Sequence, residues 1–230
     1  MIKQILKANK ERVSKMKLPM VLGVDSKNKP KIVDLTKVGN ILVGGASGQG
    51  KTNLLYAIAH SCWYAPPKVS WGFIVDYIDS KGVEEFSPYF DIQLNTIEEI
   101  RKELSFLCDR IAQREADTKM PRYPIALLID DIDHLVLTDN SLLEKIEYIA
   151  MRGPRIGIYT VLTTARMESD IISAQLRLEM PTRVAFRVAT ADESNAIIHS
   201  PEASQLTQNG EILFTHNHKL TYLRTIKVTE

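Results

Sequence analysis

The chain has 230 residues, of which 44% are hydrophobic and 25% charged, and its formal net charge is +1. These values match an average soluble globular protein and exclude disordered, collagen-like and fibrous classes. The near-neutral balance carries no general electrostatic footprint for nucleic acid, so any grip on phosphates has to be local.

Residues 1–17 are Lys-rich and mildly helical, and they read as a lead-in rather than a domain. The segment is too charged for a secretory signal, and no apolar run in the chain approaches the ~20 residues that cross a bilayer. An extended segment, Leu18 to Val24, is followed by a turn at Asp25–Pro30 and a partner strand at Lys31–Leu35. From Asn40 onward, short β-branched runs alternate with longer helical patterns. The runs are Ile41–Val43, Trp71–Val75, Ile125–Ile129, Ile158–Leu162 and Arg183–Val188. Such uninterrupted apolar runs fit strands buried on both faces of a parallel sheet. The helical patterns are Thr52–Cys62, Ile97–Glu115, Ser141–Met151, Asp170–Leu178 and Asp192–His199. In the second, Ile97, Ile100, Leu104, Leu107 and Ile111 form one apolar stripe. Strand–helix alternation predicts right-handed crossovers and a mostly parallel α/β layered domain over residues 18–230. Glu211–Phe214 and Leu220–Val228, around Asn217 and His218, read as an antiparallel hairpin. Cys62 and Cys108 match no metal spacing and sit in apolar helical stretches, so buried thiols in a reducing cytoplasm are expected.

Chemistry concentrates after the run Ile41–Val43. Gly45, Ala46, Ser47, Gly48, Gln49, Gly50, Lys51 and Thr52 fit G-x-x-x-x-G-K-S/T in full, between a strand and a helix. The glycines let successive backbone N–H groups turn inward toward phosphate oxygens, and the positive end of the following helix adds to that field. Lys51 is placed to reach the β- and γ-phosphates of ATP, and the Thr52 hydroxyl to ligate Mg²⁺. Asn53 completes the expected nucleotide contacts. A P-loop needs an acidic partner at a neighbouring strand end, and Ile125–Ile129 runs directly into Asp130 and Asp131. Asp130 is the expected Mg²⁺ carboxylate, and Asp131 the carboxylate that polarises the attacking water. The bland alternative has Asp130, Asp131 and Asp133 starting a loop and capping the next helix.

With these residues in view, the chain resembles the FtsK/SpoIIIE motor ATPases of the RecA-like fold. Beyond the P-loop, the entry Lys17–Asp25 with Asp34 and Leu35 is similar to the strand pair leading into these motors. Tyr159–Arg166 resembles the strand ending in the family's ATQR-like sensor. Glu168–Ile172, Pro181–Val188, Asp192–Ser194 and Asn209–Phe214 resemble the segments that follow. The resemblance implies a ring-forming, hexameric ATPase with nucleotide between subunits, moving double-stranded DNA. A second branch, the EccC/EssC ATPases, implies instead a type VII secretion domain that docks secreted proteins and hydrolyses ATP weakly. Either way the expected location is the cytoplasm or its membrane face, with any membrane tether outside this chain.

Three departures bear on rate. The family's Walker B glutamate falls on Asp131, the sensor glutamine on Ala165, and the arginine preceding the sensor strand on Pro154, flanked by Arg152 and Arg155. Those two arginines are candidates to neutralise γ-phosphate charge in trans, or else form structural ion pairs. His216 and His218 read as a solvated turn, and His134 as a loop residue. Trp63, Tyr64, Trp71 and Phe73 read as packing rather than base stacking. The cations Lys10, Arg12, Lys15 and Lys17 read as a solvated face.

Overall fold

The computed structural model describes residues 1–64, 71–75, 92–94, 96–167 and 171–228. The expectations for Glu168 and Asp170, and for the side chains of Trp63, Trp71 and Phe73, lie outside the described residues. Among the described residues, ten strands form one sheet: β1 (Pro19–Val24), β2 (Pro30–Asp34), β3 (Ile41–Gly44), β4 (Trp71–Val75), β5 (Ile92–Leu94), β6 (Ile125–Ile129), β7 (Ile158–Thr164), β8 (Thr182–Ala185), β9 (Glu211–His216) and β10 (Lys219–Arg224). Their spatial order is β2-β1-β10-β9-β8-β3-β7-β6-β4-β5.

The run from β8 to β5 is parallel throughout. The run from β2 to β9 is antiparallel, and β9 joins β8 in antiparallel register. A mostly parallel sheet therefore describes only part of the molecule. The expected N-terminal strand pair and C-terminal hairpin both form, but they add to the edge of the central sheet, giving one mixed sheet. Hairpin return makes the β1–β2 and β9–β10 pairs antiparallel, and the joins of β9 to β8 and β10 to β1 are antiparallel as well.

Alternation within each central strand sorts side chains to two layers, since successive residues point to opposite faces. Leu42, Leu127, Ile129 and Leu162 face one layer. It is built from α5 (Ile97–Ala116), α6 (Ile132–Thr138), α7 (Ser141–Arg152) and α8 (Ala174–Leu178). Ile41, Val43, Ala126, Leu128, Tyr159 and Val161 face the other, where α4 (Lys51–Tyr64) packs through Leu54, Leu55 and Ile58. Helix α5 follows its predicted stripe, with Ile100, Leu104, Leu107 and Ile111 buried. Its start is set by a capping box between Thr96 and Glu99. A further helix, α9 (Ala191–Ile198), opens on a second capping box at Thr190 and Glu193 and covers Ala185 and Leu213.

The lead-in docks on the domain. Helices α1 (Ile2–Ala8) and α2 (Lys10–Val13) bury Ile2, Leu6 and Val13 against Val21, Ile32, Ala57 and Ile226. The remaining short helix, α3 (Leu35–Val38), is capped by Asp34, whose carboxylate also accepts from the backbone N–H groups of Lys17 and Leu18. Both cysteines are free, and burial pushes the thiol of Cys62 up to about 12.

Candidate functional site

The site sits at the carboxyl ends of the parallel strands, where β3, β6 and β7 each release a loop. Register explains the convergence: Gly44 lies opposite Thr164, and Ile129 opposite Leu162, so the next residues of all three strands reach one edge together. In α/β sheets that edge is where ligands bind.

The loop from Gly45 to Gly50 turns tightly off β3. Gly45 has φ +149°, and a Cβ there would lie 2.6 Å from Cβ of Phe186, so only glycine lets the loop pass the end of β8. Gly48 has φ +73° with open space where a Cβ would stand, and Ala46, Ser47 and Gly48 are exposed. The loop is pinned at both ends by backbone bonds: Ala46 N–H donates to the Arg187 carbonyl at 3.0 Å, and Gly210 N–H to the Gln49 carbonyl at 3.1 Å. Lys51 folds back across it, its ammonium donating to the carbonyls of Gly45 (2.7 Å) and Ala46 (3.1 Å). Burial pulls the Lys51 pKa below its ordinary value, against the opposing pull of Asp130, Asp131 and Asp133.

One helical position later, the Thr52 hydroxyl donates to Oδ2 of Asp130 at 2.5 Å. The other carboxylate oxygen, Oδ1, accepts from the Thr163 hydroxyl at 2.5 Å, and that hydroxyl oxygen in turn accepts from Asp131 N–H at 2.8 Å. Asp131 has φ +48° and ψ +64°, a left-handed conformation that Asp tolerates better than most residues. It stands at the N-cap of α6, yet its side chain makes no capping hydrogen bond. Asp133 is buried; its Oδ1 accepts from the Thr164 hydroxyl at 2.5 Å and its Oδ2 from Ala165 N–H at 2.6 Å. Burial raises its pKa, with the nearby Asp131 charge adding to the rise and those two hydrogen bonds opposing it.

Convergent hard oxygens at Thr52 and Asp130, an ammonium over an exposed turn, and an open cradle at Gly48 suit a magnesium–triphosphate group. Mg²⁺ takes few protein oxygens and completes its shell with water and phosphate.

Other expected residues lie elsewhere. The Asn53 side-chain amide ties α4 to the C-terminal segment, donating to the Ile226 carbonyl and accepting from Val228 N–H, both at 2.9 Å. Arg152 forms a two-bond pair with Glu115, Nε to Oε1 and Nη2 to Oε2, each 3.0 Å. Arg155 is exposed on a 3₁₀ turn, Gly153–Ile156, immediately before β7. Both arginines therefore lie at the opposite edge of the sheet from the loop, separated by the length of β7, about 20 Å at roughly 3.3 Å per residue.

Sequence reasoning missed Thr163, Thr164 and the buried role of Asp133. A pair of threonines ending an apolar strand was the available signal, but its meaning depends on β6 and β7 being neighbours.

A protein-family model described as the FtsK/SpoIIIE family matches residues 1–209. The chain belongs to this family. Among its FtsK/SpoIIIE relatives, the DNA translocase SftA of Bacillus subtilis is 29% identical over 245 residues, covering 94% of this chain and 25% of the relative. The DNA translocase FtsK of Helicobacter pylori is 26% identical, covering 93% of this chain and 28% of the relative. This chain thus spans about a quarter of the length of either. Two solved structures share the fold. The conjugation coupling protein TcpA of pCW3, solved in monomer form with ATPγS, superposes with a TM-score of 0.77 at 17% identity, covering 94% of this chain and 68% of that one. The cytoplasmic domain of the type VII secretion ATPase EccC from Thermomonospora curvata gives 0.76 at 16% identity, covering 93% and 29%. The sheet that carries the Gly45–Thr52 loop and the Asp130 turn is thus an α/β fold shared with these two ATPase structures.

Proposed function

We propose that this chain is an ATP-hydrolysing motor domain that drives movement of double-stranded DNA. The observation that carries the ATP reading is the meeting of Lys51, Thr52 and Asp130 at one strand edge, with the Thr52 hydroxyl 2.5 Å from the carboxylate. The DNA reading is supported by relatives named DNA translocases, which match in sequence along nearly the whole chain. The secretion ATPases match at 16% identity or below, as a likeness of fold. Docking of secreted proteins is therefore the second reading.

Lys51 and the backbone N–H groups of the loop would hold the triphosphate, and Thr52 and Asp130 would hold Mg²⁺. Bound Mg²⁺ neutralises charge on the phosphate oxygens. To accept these groups, Lys51 releases the Gly45 and Ala46 carbonyls and Thr52 turns its hydroxyl proton away from Asp130. Asp131, with its carboxylate free of capping duty, orients the attacking water and accepts its proton at a carboxylate oxygen.

Arg155 cannot reach the loop of its own chain, so any stabilisation it supplies comes from a second copy. A head-to-tail interface brings the arginine edge of one copy to the loop edge of the next, and such contacts close into rings when the rotation allows. We place Arg155 ahead of Arg152 in that role, since Arg152 is held by Glu115. Ring assembly, of which a hexamer is one closure, and a cytoplasmic location are parts of the same proposal. No described helix is long and apolar enough to cross a membrane.

The ATP reading is tested by titration calorimetry of ATP–Mg²⁺ into the unmodified chain and Lys51→Ala. Saturable binding that the substitution weakens supports it; equal binding by both proteins refutes the site.

A further inference from the structure

Two consecutive threonines at the end of β7 serve two different carboxylates. Thr163 bonds Asp130 and receives Asp131 N–H, whereas Thr164 bonds Asp133. Asp133 also takes Ala165 N–H, and the Thr164 oxygen receives Arg166 N–H at 3.0 Å. The Thr164 hydroxyl has a second acceptor in the Arg166 carbonyl. The Asp130–Asp133 turn and the Thr163–Arg166 segment are therefore joined twice, once through Thr163 beside the metal oxygens and once through Asp133 behind them. Asp133 is 5% exposed and too deep to meet a ligand, so its two short bonds act only inside the protein. Beyond this clamp, Ala165 and Arg166 are exposed on the edge that carries the P-loop.

We infer that Asp133 is a positioning residue that locks Thr164–Arg166 to the Asp130–Asp131 turn, so that occupancy of the nucleotide site is transmitted to the exposed Arg166. The inference rests on the ATP reading above. A ligand that takes Asp130 from Thr52 alters the partner shared by Thr163, and Thr163 also holds Asp131 N–H. Any resulting shift at the start of α6 moves Asp133, and with it the backbone of Ala165. One carboxylate with two bonds thus converts a change at the phosphate end into a change of segment geometry at the surface. Thr164 is the element's second half, because without its hydroxyl both Asp133 Oδ1 and Arg166 N–H lose a partner.

Hydrogen–deuterium exchange over residues 160–167, with and without ATPγS–Mg²⁺, tests this in the unmodified chain, Asp133→Asn, Thr164→Val and Thr164→Ser. Calorimetry and melting temperature are read alongside. The expected result is slowed exchange in this segment on nucleotide addition, by about threefold or more. That response is retained in Thr164→Ser and lost in Thr164→Val and Asp133→Asn, while ATPγS affinity stays within about threefold. A purely structural role would lower melting temperature and affinity together, and Thr164→Ser would not restore a nucleotide response. If the unmodified chain binds ATPγS and the segment does not respond, the inference is overturned while the ATP reading stands. A response that survives in both Asp133→Asn and Thr164→Val also overturns it. Absence of any binding removes the ATP reading, and this inference with it. Should Asp133→Asn fail to fold, the Thr164→Val and Thr164→Ser pair decides the matter.

Discussion

Lys51 carries one charge over a turn of backbone dipoles, and its pKa already lies below normal because that position is partly dry. Removing the ammonium deletes charge-assisted hydrogen bonds worth about 1.5–3 kcal/mol each. Lys51→Ala is therefore expected to weaken ATP–Mg²⁺ binding by at least about thirtyfold in calorimetry, with little change in melting temperature. Asp131 raises a question of rate. Its side chain is one methylene shorter than the glutamate usual in the family, which sets the carboxylate back by roughly 1 Å, and a misplacement of that size costs on the order of a hundredfold. Asp131→Glu, alone and with Ala165→Gln, is expected to raise turnover by about tenfold or more at nearly unchanged ATP affinity. The left-handed backbone at Asp131 sets a small stability cost against the longer side chain. If the unmodified chain already turns over at about 10 s⁻¹, typical of working enzymes, then that backbone placement compensates for the missing methylene. The meeting of Lys51, Thr52 and Asp130 was legible in the sequence because its signals are local, with glycines and a lysine at fixed spacing and carboxylates at a strand end. Thr163, Thr164 and Asp133 were not, because a threonine in an apolar strand acquires its role only from the strand beside it.

Among the elements, α1 shows how a charged segment can still belong to the core. Its lysines face solvent while Ile2 and Leu6 pack on β1, β2 and α4. Leu6 is 4% exposed, and truncating a leucine at such a site costs about 2–5 kcal/mol. Leu6→Ala is expected to lower the chemical-denaturation midpoint accordingly and to leave ATP affinity unchanged, because α1 lies away from the loop edge. An unchanged midpoint would show that the lead-in contributes no packing energy. The parallel strands and the long helices were readable from continuous apolar runs and three-to-four-residue stripes. β5 was missed, since three residues leave no period to detect. The way β9 joins β8 and β10 joins β1 was missed for another reason. Strand neighbours far apart in the chain leave no trace in local pattern, so the hairpin was foreseen but its attachment was not.

For the whole molecule, the separation of Arg155 from Gly45–Thr52 is the decisive geometric fact. In the proposed mechanism, a loop and an arginine at opposite ends of the same strands make a site that one copy leaves incomplete and a head-to-tail neighbour would complete. Hydrolysis should then depend on assembly, and double-stranded DNA, by gathering copies along its phosphates, should promote assembly. Arg155→Ala is expected to reduce turnover at high protein concentration by about tenfold or more while leaving ATP binding intact, whereas equal turnover would remove Arg155 from the mechanism. The most direct measurement is steady-state ATP hydrolysis over a hundredfold range of protein concentration, with and without double-stranded DNA, with Lys51→Ala as the control and light scattering run in parallel. A motor completed in trans is expected to show little activity as dilute monomer, rising specific activity with concentration, further stimulation by DNA, and none of this in Lys51→Ala. A specific activity that stays flat across the range, indifferent to DNA, from a chain that remains monomeric would contradict it.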